Sequence, residues 1–239
     1  MLTIIILAAG KGTRMKSDLP KVLHRLGGKP LIVHVLKTAR ELRPDRLLVV
    51  VGHGRDAVLK ELVNTGADGV VQEPQLGTGH AVLQCRATLS DFAGDVVVLS
   101  GDVPLLKSAT LQKLVERHRH SGASASVLTA RTDDPGEYGR IVRGEDGEFV
   151  GIAEARDATP QQREIREINS GIYCFRASAL FGALGRVRTD NRKGEYYLTD
   201  VVGLLAKAGH NVQAFELTDF TEVQGINTVS ELAQAESQR

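Results

Sequence analysis

The segment Leu7 to Met15 reads LAAGKGTRM, and its residue types suit a phosphorylated ligand. Ala8, Ala9, Gly10 and Gly12 are small enough for backbone N–H groups to approach a phosphate or a base closely. Lys11, Arg14, Lys16 and Lys21 crowd positive charge into a short segment opposed only by Asp18. A triphosphate needs that density of donors. Two familiar phosphate motifs do not fit. The dinucleotide fingerprint needs a third glycine where this chain has Met15, with a helix beginning at once, whereas Pro20 interrupts the segment. The Walker A pattern needs a Gly-Lys-Ser/Thr that does not follow at the required spacing. The glycines alone describe a tight turn equally well; Arg14 and the stretch Ser17 to Lys21 tip the reading toward ligand binding.

Asp102 ends an apolar run in the sequence SGDVP. Magnesium is commonly held by one or two protein oxygens completed by substrate phosphates and waters, so a single carboxylate suffices. An Asp at such a place can equally cap a turn. Cys85 and Cys174 are the two cysteines of the chain and carry no metal-ligand spacing, so buried free thiols are expected. His80, in LGTGHA, reads as a partly buried histidine with its partners satisfied.

These residues need a frame. Short β-branched runs at Ile4 to Leu7, Leu47 to Val51, Val70 to Gln72 and Val96 to Ser100 alternate with helical spacing. The helical stretches are Leu31 to Leu42, Arg55 to Val63, Gly79 to Ala87 and Thr110 to Arg119. That alternation predicts right-handed βαβ units and a parallel sheet covered on both faces. After Ala130 the pattern changes: Gly139 to Glu154 alternates around Gly144 and Gly147 as a hairpin would, and a strand follows at Glu167 to Phe175. Helices fit Ala177 to Leu184 and Thr199 to Ala208, a strand fits Val212 to Glu216, and a last helix starts near Thr228 and runs to the end.

The chain has 239 residues, 42% hydrophobic and 25% charged, with a net charge of +1. This is globular composition with no basic footprint for nucleic acid. The apolar opening Leu2 to Ala9 lacks a basic region before it, and no other run approaches a membrane span. A cytoplasmic protein is expected.

The loop Leu7 to Met15 followed by Pro20-Lys21 resembles the signature of the sugar-nucleotide pyrophosphorylase superfamily. The longer form Leu7 to His24 is similar to that of bacterial N-acetylglucosamine-1-phosphate uridyltransferases. Further matches follow in order: QEPQLGTGHA from Gln72, GDVPLL from Gly101, EYGRIVR from Glu137, EINSGIY from Glu167, KGEYYLTD from Lys193 and QGIN from Gln224. The resemblance implies a Rossmann-like nucleotidyltransferase fold: a mostly parallel mixed sheet with helices on both faces and an inserted β-hairpin lobe. It places the nucleotidyltransferase domain at 1–227, with 228–239 starting a linker helix.

It also implies roles. The backbone from Leu7 through Ala8 and Ala9 to Gly10, with Gly101, would hold base and ribose, while Arg14 and Lys21 would neutralise the triphosphate. Gln72, Gly77 and Thr78 would read uracil. Asp102 and Asn227 would hold Mg²⁺, and Gly139, Glu154, Asn169 and Thr199 would form the sugar site. Tyr196 and Tyr197 read as packing residues. The implied reaction joins UTP to N-acetylglucosamine 1-phosphate, giving UDP-N-acetylglucosamine, a cell-wall precursor, and pyrophosphate. Its rivals are a related transferase for another sugar phosphate or base, and a silent nucleotide-sugar sensor. Two departures bear on sugar selectivity: Ser100 stands where the family usually has Tyr, and Arg156 where it often has Lys. In these enzymes a left-handed β-helix usually follows, which transfers an acetyl group and builds a trimer. No hexapeptide repeat occurs before Arg239, so a truncated or single-function form is expected. It would be monomeric, against a trimer for the longer bifunctional chain.

Overall fold

The computed structural model describes residues 1–237. Its order begins β1 (Leu2–Ala8), the two-residue pair β2 (Arg25–Leu26) and β3 (Lys29–Pro30), α1 (Leu31–Glu41), β4 (Arg46–Val51) and α2 (Arg55–Leu62). It continues with β5 (Asp68–Val71), α3 (Thr78–Gln84), β6 (Asp95–Ser100), α4 (Ser108–His120) and β7 (Ala125–Arg131). The hairpin β8 (Arg140–Arg143) and β9 (Phe149–Ala153) leads to α5 (Pro160–Arg163), β10 (Glu167–Arg176) and α6 (Ala177–Leu184). The chain closes with α7 (Leu198–Lys207), β11 (Val212–Leu217) and α8 (Val229–Ser237). Residues 238 and 239, into which the sequence pattern extends the last helix, lie outside the described residues.

The main sheet has the order β11-β7-β10-β6-β1-β4-β5. β1 pairs in parallel with β4 and β6, as the alternating pattern predicts, whereas β10 runs antiparallel to both β6 and β7. The sheet is therefore mixed. The β8–β9 hairpin hangs on β10 through the pair Ile168–Arg140.

The period-two alternation of strands divides the core. Along β1, Ile4 and Ile6 join Ile32, Val35, Val58, Leu111 and Leu114 of α1, α2 and α4 on one face. Ile5 faces the other way and packs with Ala81, Leu180, Val201 and Leu205 of α3, α6 and α7. Each such fully buried side chain contributes about 1.5–3 kcal/mol, so the ends of β1 and β6 form a rigid shelf.

Apart from the two-residue pair β2–β3, the strand with no counterpart among the sequence-based expectations is β7. Its sequence ASVLTAR mixes Ser126 and Thr129 into a buried run, which hides the apolar signal. The fold satisfies those hydroxyls: Ser126 Oγ lies 2.8 Å from His118 Nδ1, and Thr129 Oγ1 donates to Glu167 at 2.8 Å. Burial of a polar group is tolerated when it is hydrogen-bonded, and no local pattern reports such a partner.

Candidate active site

The ends of the parallel strands carry the loops that matter. After β1 the chain runs through Gly10 into two short 3-10 turns, Thr13–Met15 and Lys21–Leu23. Met15 is buried and anchors the loop beneath, while Arg14 stays exposed. Gly12 sits at φ +61, and a Cβ there would lie 2.5 Å from Lys21 Cβ. Glycine at this position thus brings the two halves of the loop into contact. Beside it the Gly101 N–H donates to Leu7 O at 2.9 Å, which extends the ladder one step past β6 and delivers Asp102 to the shelf.

Asn227 arrives from far along the chain. The Ile226 N–H donates to the Asp102 carbonyl at 2.9 Å, so the two segments are joined through the main chain. The Gly225 N–H donates to the Tyr138 hydroxyl at 3.0 Å, and Tyr138 packs edge-on against Phe220. Glu231 accepts the N–H groups of Asn227 (2.6 Å) and Thr228 (2.9 Å), while the Glu231 N–H donates to Thr228 Oγ1 at 3.1 Å. This is a capping box at the start of α8, and Leu232 and Ala235 bury the helix against Leu26, Leu31 and Ile226.

These restraints converge on one cluster. Lys21 Nζ donates to Asp102 Oδ2 and, at 2.9 Å, to Asn227 Oδ1, and Arg14 Nη2 donates to the same Asn227 oxygen at 2.9 Å. The Lys21 ammonium thus stands between a carboxylate and an amide oxygen. Among the described residues no group of three or more His, Cys, Asp and Glu side chains gathers to hold a metal. The donor set fits a hard cation that completes its shell with phosphates and water, and does not fit a closed structural site.

A cavity of about 460 Å³ opens over this cluster. Gly10, Gly12, Arg14, Lys21 and Asn227 line one side, Thr78 and Tyr197 contribute, and Glu154, Ala155 and Arg156 after β9 face them. Burial pushes the Tyr197 hydroxyl up to about 12, so it stays protonated at neutral pH. Burial also raises the Glu154 carboxyl, partly offset by the Thr199 hydroxyl, which donates to Glu154 Oε1 at 2.8 Å.

The other expected residues lie around the cavity without lining it. Gln72 is buried at the end of β5, and its Nε2 donates to Gly77 O at 2.9 Å and lies 3.1 Å from His80 Nδ1. Burial lowers the His80 pKa and keeps the ring neutral, so His80 is a satisfied, half-buried histidine as expected. Gly77 has φ +106, and a Cβ there would meet Tyr196 O at 2.6 Å. The exposed Tyr196 stitches this turn through its backbone, donating to Leu76 O (2.8 Å) and accepting from the Gly79 N–H (2.7 Å). Gly139 and Asn169 meet through the Asn169 N–H and the Gly139 carbonyl at 2.9 Å. The Asn169 amide is itself engaged, donating to Tyr173 Oη at 2.7 Å and accepting from the Gly171 N–H at 3.1 Å. Ala8 and Ala9 are buried beneath the loop. Cys85 and Cys174 are buried free thiols, as composition suggests.

Sequence reasoning does not single out Tyr138, Lys193 or Glu231. The Thr228-x-x-Glu231 spacing of a capping box stands in the sequence before an apolar helix face, and is the signal that could find the last of them. Tyr138 and Lys193 fall inside the matched stretches EYGRIVR and KGEYYLTD, but nothing in their type or spacing tells that Tyr138 meets Gly225 or that Lys193 lines the cavity.

A mixed sheet of this order, with loops at its strand ends around a cationic cavity, defines a nucleotidyltransferase fold. A putative glucose-1-phosphate thymidylyltransferase from Bacillus anthracis shares it with a TM-score of 0.76 at 20% identity, covering 100% of this chain and 95% of that one. A UDP-glucose pyrophosphorylase complexed with UDP-glucose does so with a TM-score of 0.76 at 19% identity, covering 99% and 97%. The chain belongs to the family of MobA-like NTP transferase domains, which matches residues 4–199. Curated relatives include the bifunctional protein GlmU of Pediococcus pentosaceus, 48% identical over 97% of this chain and 49% of that protein. The GlmU protein of Synechococcus sp. strain CC9605 is 50% identical over 99% of this chain and 52% of that protein. The chain spans about half the length of these relatives. No helix among the described residues is long and apolar enough to cross a membrane.

Proposed function

We propose that this chain transfers a uridylyl group from UTP to N-acetylglucosamine 1-phosphate, giving UDP-N-acetylglucosamine and pyrophosphate. The observation that carries the reading is the convergence of Arg14, Lys21, Asp102 and Asn227 at the strand ends, beneath a cavity closed by Glu154. The match to curated relatives named bifunctional protein GlmU supports it. The sugar phosphate oxygen attacks the α-phosphorus of UTP, and the bond to the pyrophosphate oxygen breaks. Arg14 and Lys21 offset the charge that grows on the departing pyrophosphate, and fixed donors of this kind supply much of the rate gain in such transfers. A divalent cation, Mg²⁺ in this reading, would be held by Asp102 and Asn227 and would offset phosphate charge by on the order of several kcal/mol. The nucleophile is a phosphate already ionised near neutral pH, so no side chain need act as a base. Because UTP is a cytoplasmic nucleotide, the reaction belongs in the cytoplasm.

For base choice, the Gln72 amide nitrogen donates to Gly77 O and lies against His80 Nδ1, which leaves Oε1 as an acceptor suited to uracil N3–H. Cytosine carries a lone pair at that nitrogen, and sites built on buried hydrogen bonds discriminate by about 10⁴ in such cases. Acetamido recognition is assigned to Asn169, whose amide already has partners within the chain. The deciding experiment is pyrophosphate release with Mg²⁺ across UTP, CTP and GTP and across several sugar 1-phosphates. Turnover confined to UTP with N-acetylglucosamine 1-phosphate is expected. Equal kcat/KM for UTP and CTP would remove Gln72 from base reading, and no release with any pair would reject the reaction.

A further inference from the structure

Beside the reaction cavity lies a second one of about 400 Å³, lined by five cationic side chains, Arg140, Arg156, Arg163, Arg192 and Lys193, and one carboxylate, Glu137. The two cavities share Glu137, Ala155, Arg156 and Lys193 in their walls, so they adjoin. The cations come from three separate segments: the start of β8, the stretch from Ala155 through α5, and the loop before α7. Their charge is weakly compensated. Arg156 stands 3.6 Å from Glu137, Arg192 stands 4.0 Å from Asp157, and Lys193 stands 4.0 Å from Glu195. Arg140 and Arg163 have no ion pair among the described residues. Arg140 is buried and turns its guanidinium back onto the carbonyls of Pro135, Gly136 and Tyr138, leaving Nε without a partner. Burial lowers the Arg140 pKa, with Arg163 adding to the shift and Asp134 and Glu137 opposing it.

The whole chain carries only +1, so this excess is local, and a concavity lined by one sign of charge concentrates counter-ions. Forked guanidinium groups match phosphate oxygens, and the volume suits a small phosphorylated molecule. The shared wall lies on the Glu154 side, whereas the nucleotide loops Gly10 to Arg14 and Thr78 line only the reaction cavity. We propose that this pocket is an anion-binding vestibule that takes the phosphate of the sugar 1-phosphate before the sugar reaches Glu154. The identity of that anion rests on the reaction proposed above.

The test uses the double variant Arg163→Gln/Arg192→Gln, which removes two exposed cations that do not line the reaction cavity. At low ionic strength KM for the sugar 1-phosphate should rise about five- to ten-fold, with kcat and KM for UTP unchanged. The difference should shrink as salt screens the pocket. An unchanged sugar-phosphate KM, or an equal rise for both substrates, overturns the proposal. A second arm needs no turnover: on a Lys21→Ala background, calorimetric binding of inorganic phosphate should persist and then be lost when the double variant is added. Phosphate binding that is absent, or indifferent to Arg163 and Arg192, overturns the pocket. Phosphate binding that depends on them, in a chain that turns over no sugar phosphate, supports the pocket and rejects the reaction instead.

Discussion

The Glu231 carboxylate accepts the backbone N–H of Asn227 at 2.6 Å and that of Thr228 at 2.9 Å, so the cap of the last helix also seats a proposed metal ligand. Loss of a helix cap costs about 1 kcal/mol. Glu231→Ala is therefore expected to lower stability by about that amount and to free the backbone that presents Asn227 Oδ1. The Mg²⁺ concentration for half-maximal rate should rise about ten-fold, in line with the effect of residues that orient metal ligands, while kcat at saturating Mg²⁺ recovers. Metal titration of initial rates beside thermal unfolding checks this. A stability loss with an unchanged metal requirement would separate cap from site.

Among the described residues Asp102 supplies the carboxylate of the cluster, which accepts from the Lys21 ammonium, while its main-chain carbonyl accepts the Ile226 N–H and holds the two segments together. Asp102→Ala should accordingly keep the fold and abolish turnover. Circular dichroism and pyrophosphate release on the same sample decide it. A folded variant with near-normal activity at low Mg²⁺ would mean that the metal lies elsewhere.

How much of this is legible in the sequence depends on whether the signal is local. β1, β4 and β6 are continuous apolar runs, and their burial on both faces is what such runs report. The loop cations Arg14 and Lys21 are marked by small residues and charge close together in the chain. β7 escapes because Ser126 and Thr129 interrupt its apolar run, and the partners that let them be buried lie outside the strand, His118 in the preceding helix and Glu167 38 residues beyond Thr129. The union of Asp102 with Asn227 comes only through the family resemblance, since periodicity cannot bring together residues so far apart. The basic pocket is invisible for the same reason: Arg140, Arg163 and Arg192 read singly as solvated surface charge.

Lys21 depends on Gly12. The backbone there is left-handed at φ +61, and an added Cβ would fall 2.5 Å from Lys21 Cβ. Left-handed backbone costs an ordinary residue about 1–2 kcal/mol, and the contact must be relieved by moving Lys21 away from Asp102 and Asn227. Lys21→Ala and Arg14→Ala should each lower kcat by roughly 10²–10³, the usual cost of one charge-stabilising donor. Gly12→Ala should fall toward the Lys21→Ala rate while melting only slightly earlier. Steady-state kinetics on the three variants tests this, and wild-type kcat in Gly12→Ala would show that the loop absorbs the methyl without moving the ammonium.

Glu154 offers a test through pH. Its carboxyl is mostly shielded, and burial raises its pKa above the ordinary value, with the Thr199 hydroxyl and Lys193 opposing the shift. A carboxyl raised on folding binds its proton more tightly in the folded state. It therefore contributes stability that is full below the unfolded pKa and is lost as pH rises through the folded value. At neutral pH the ionised Glu154 is a net burden on the fold. Glu154→Gln should then melt higher than wild type near pH 7, with the gain disappearing in acid below the ordinary carboxyl range. Sugar binding should follow the opposite course, because protonation removes an acceptor that the sugar hydroxyls use. For wild type, KM for the sugar 1-phosphate should rise as pH falls through the raised Glu154 pKa while KM for UTP holds steady. Glu154→Gln should show a higher sugar KM throughout and no such rise. A wild-type sugar KM that is flat across this range, or a Glu154→Gln variant that melts lower at neutral pH, would remove Glu154 from the sugar site or from its strained ionised state respectively.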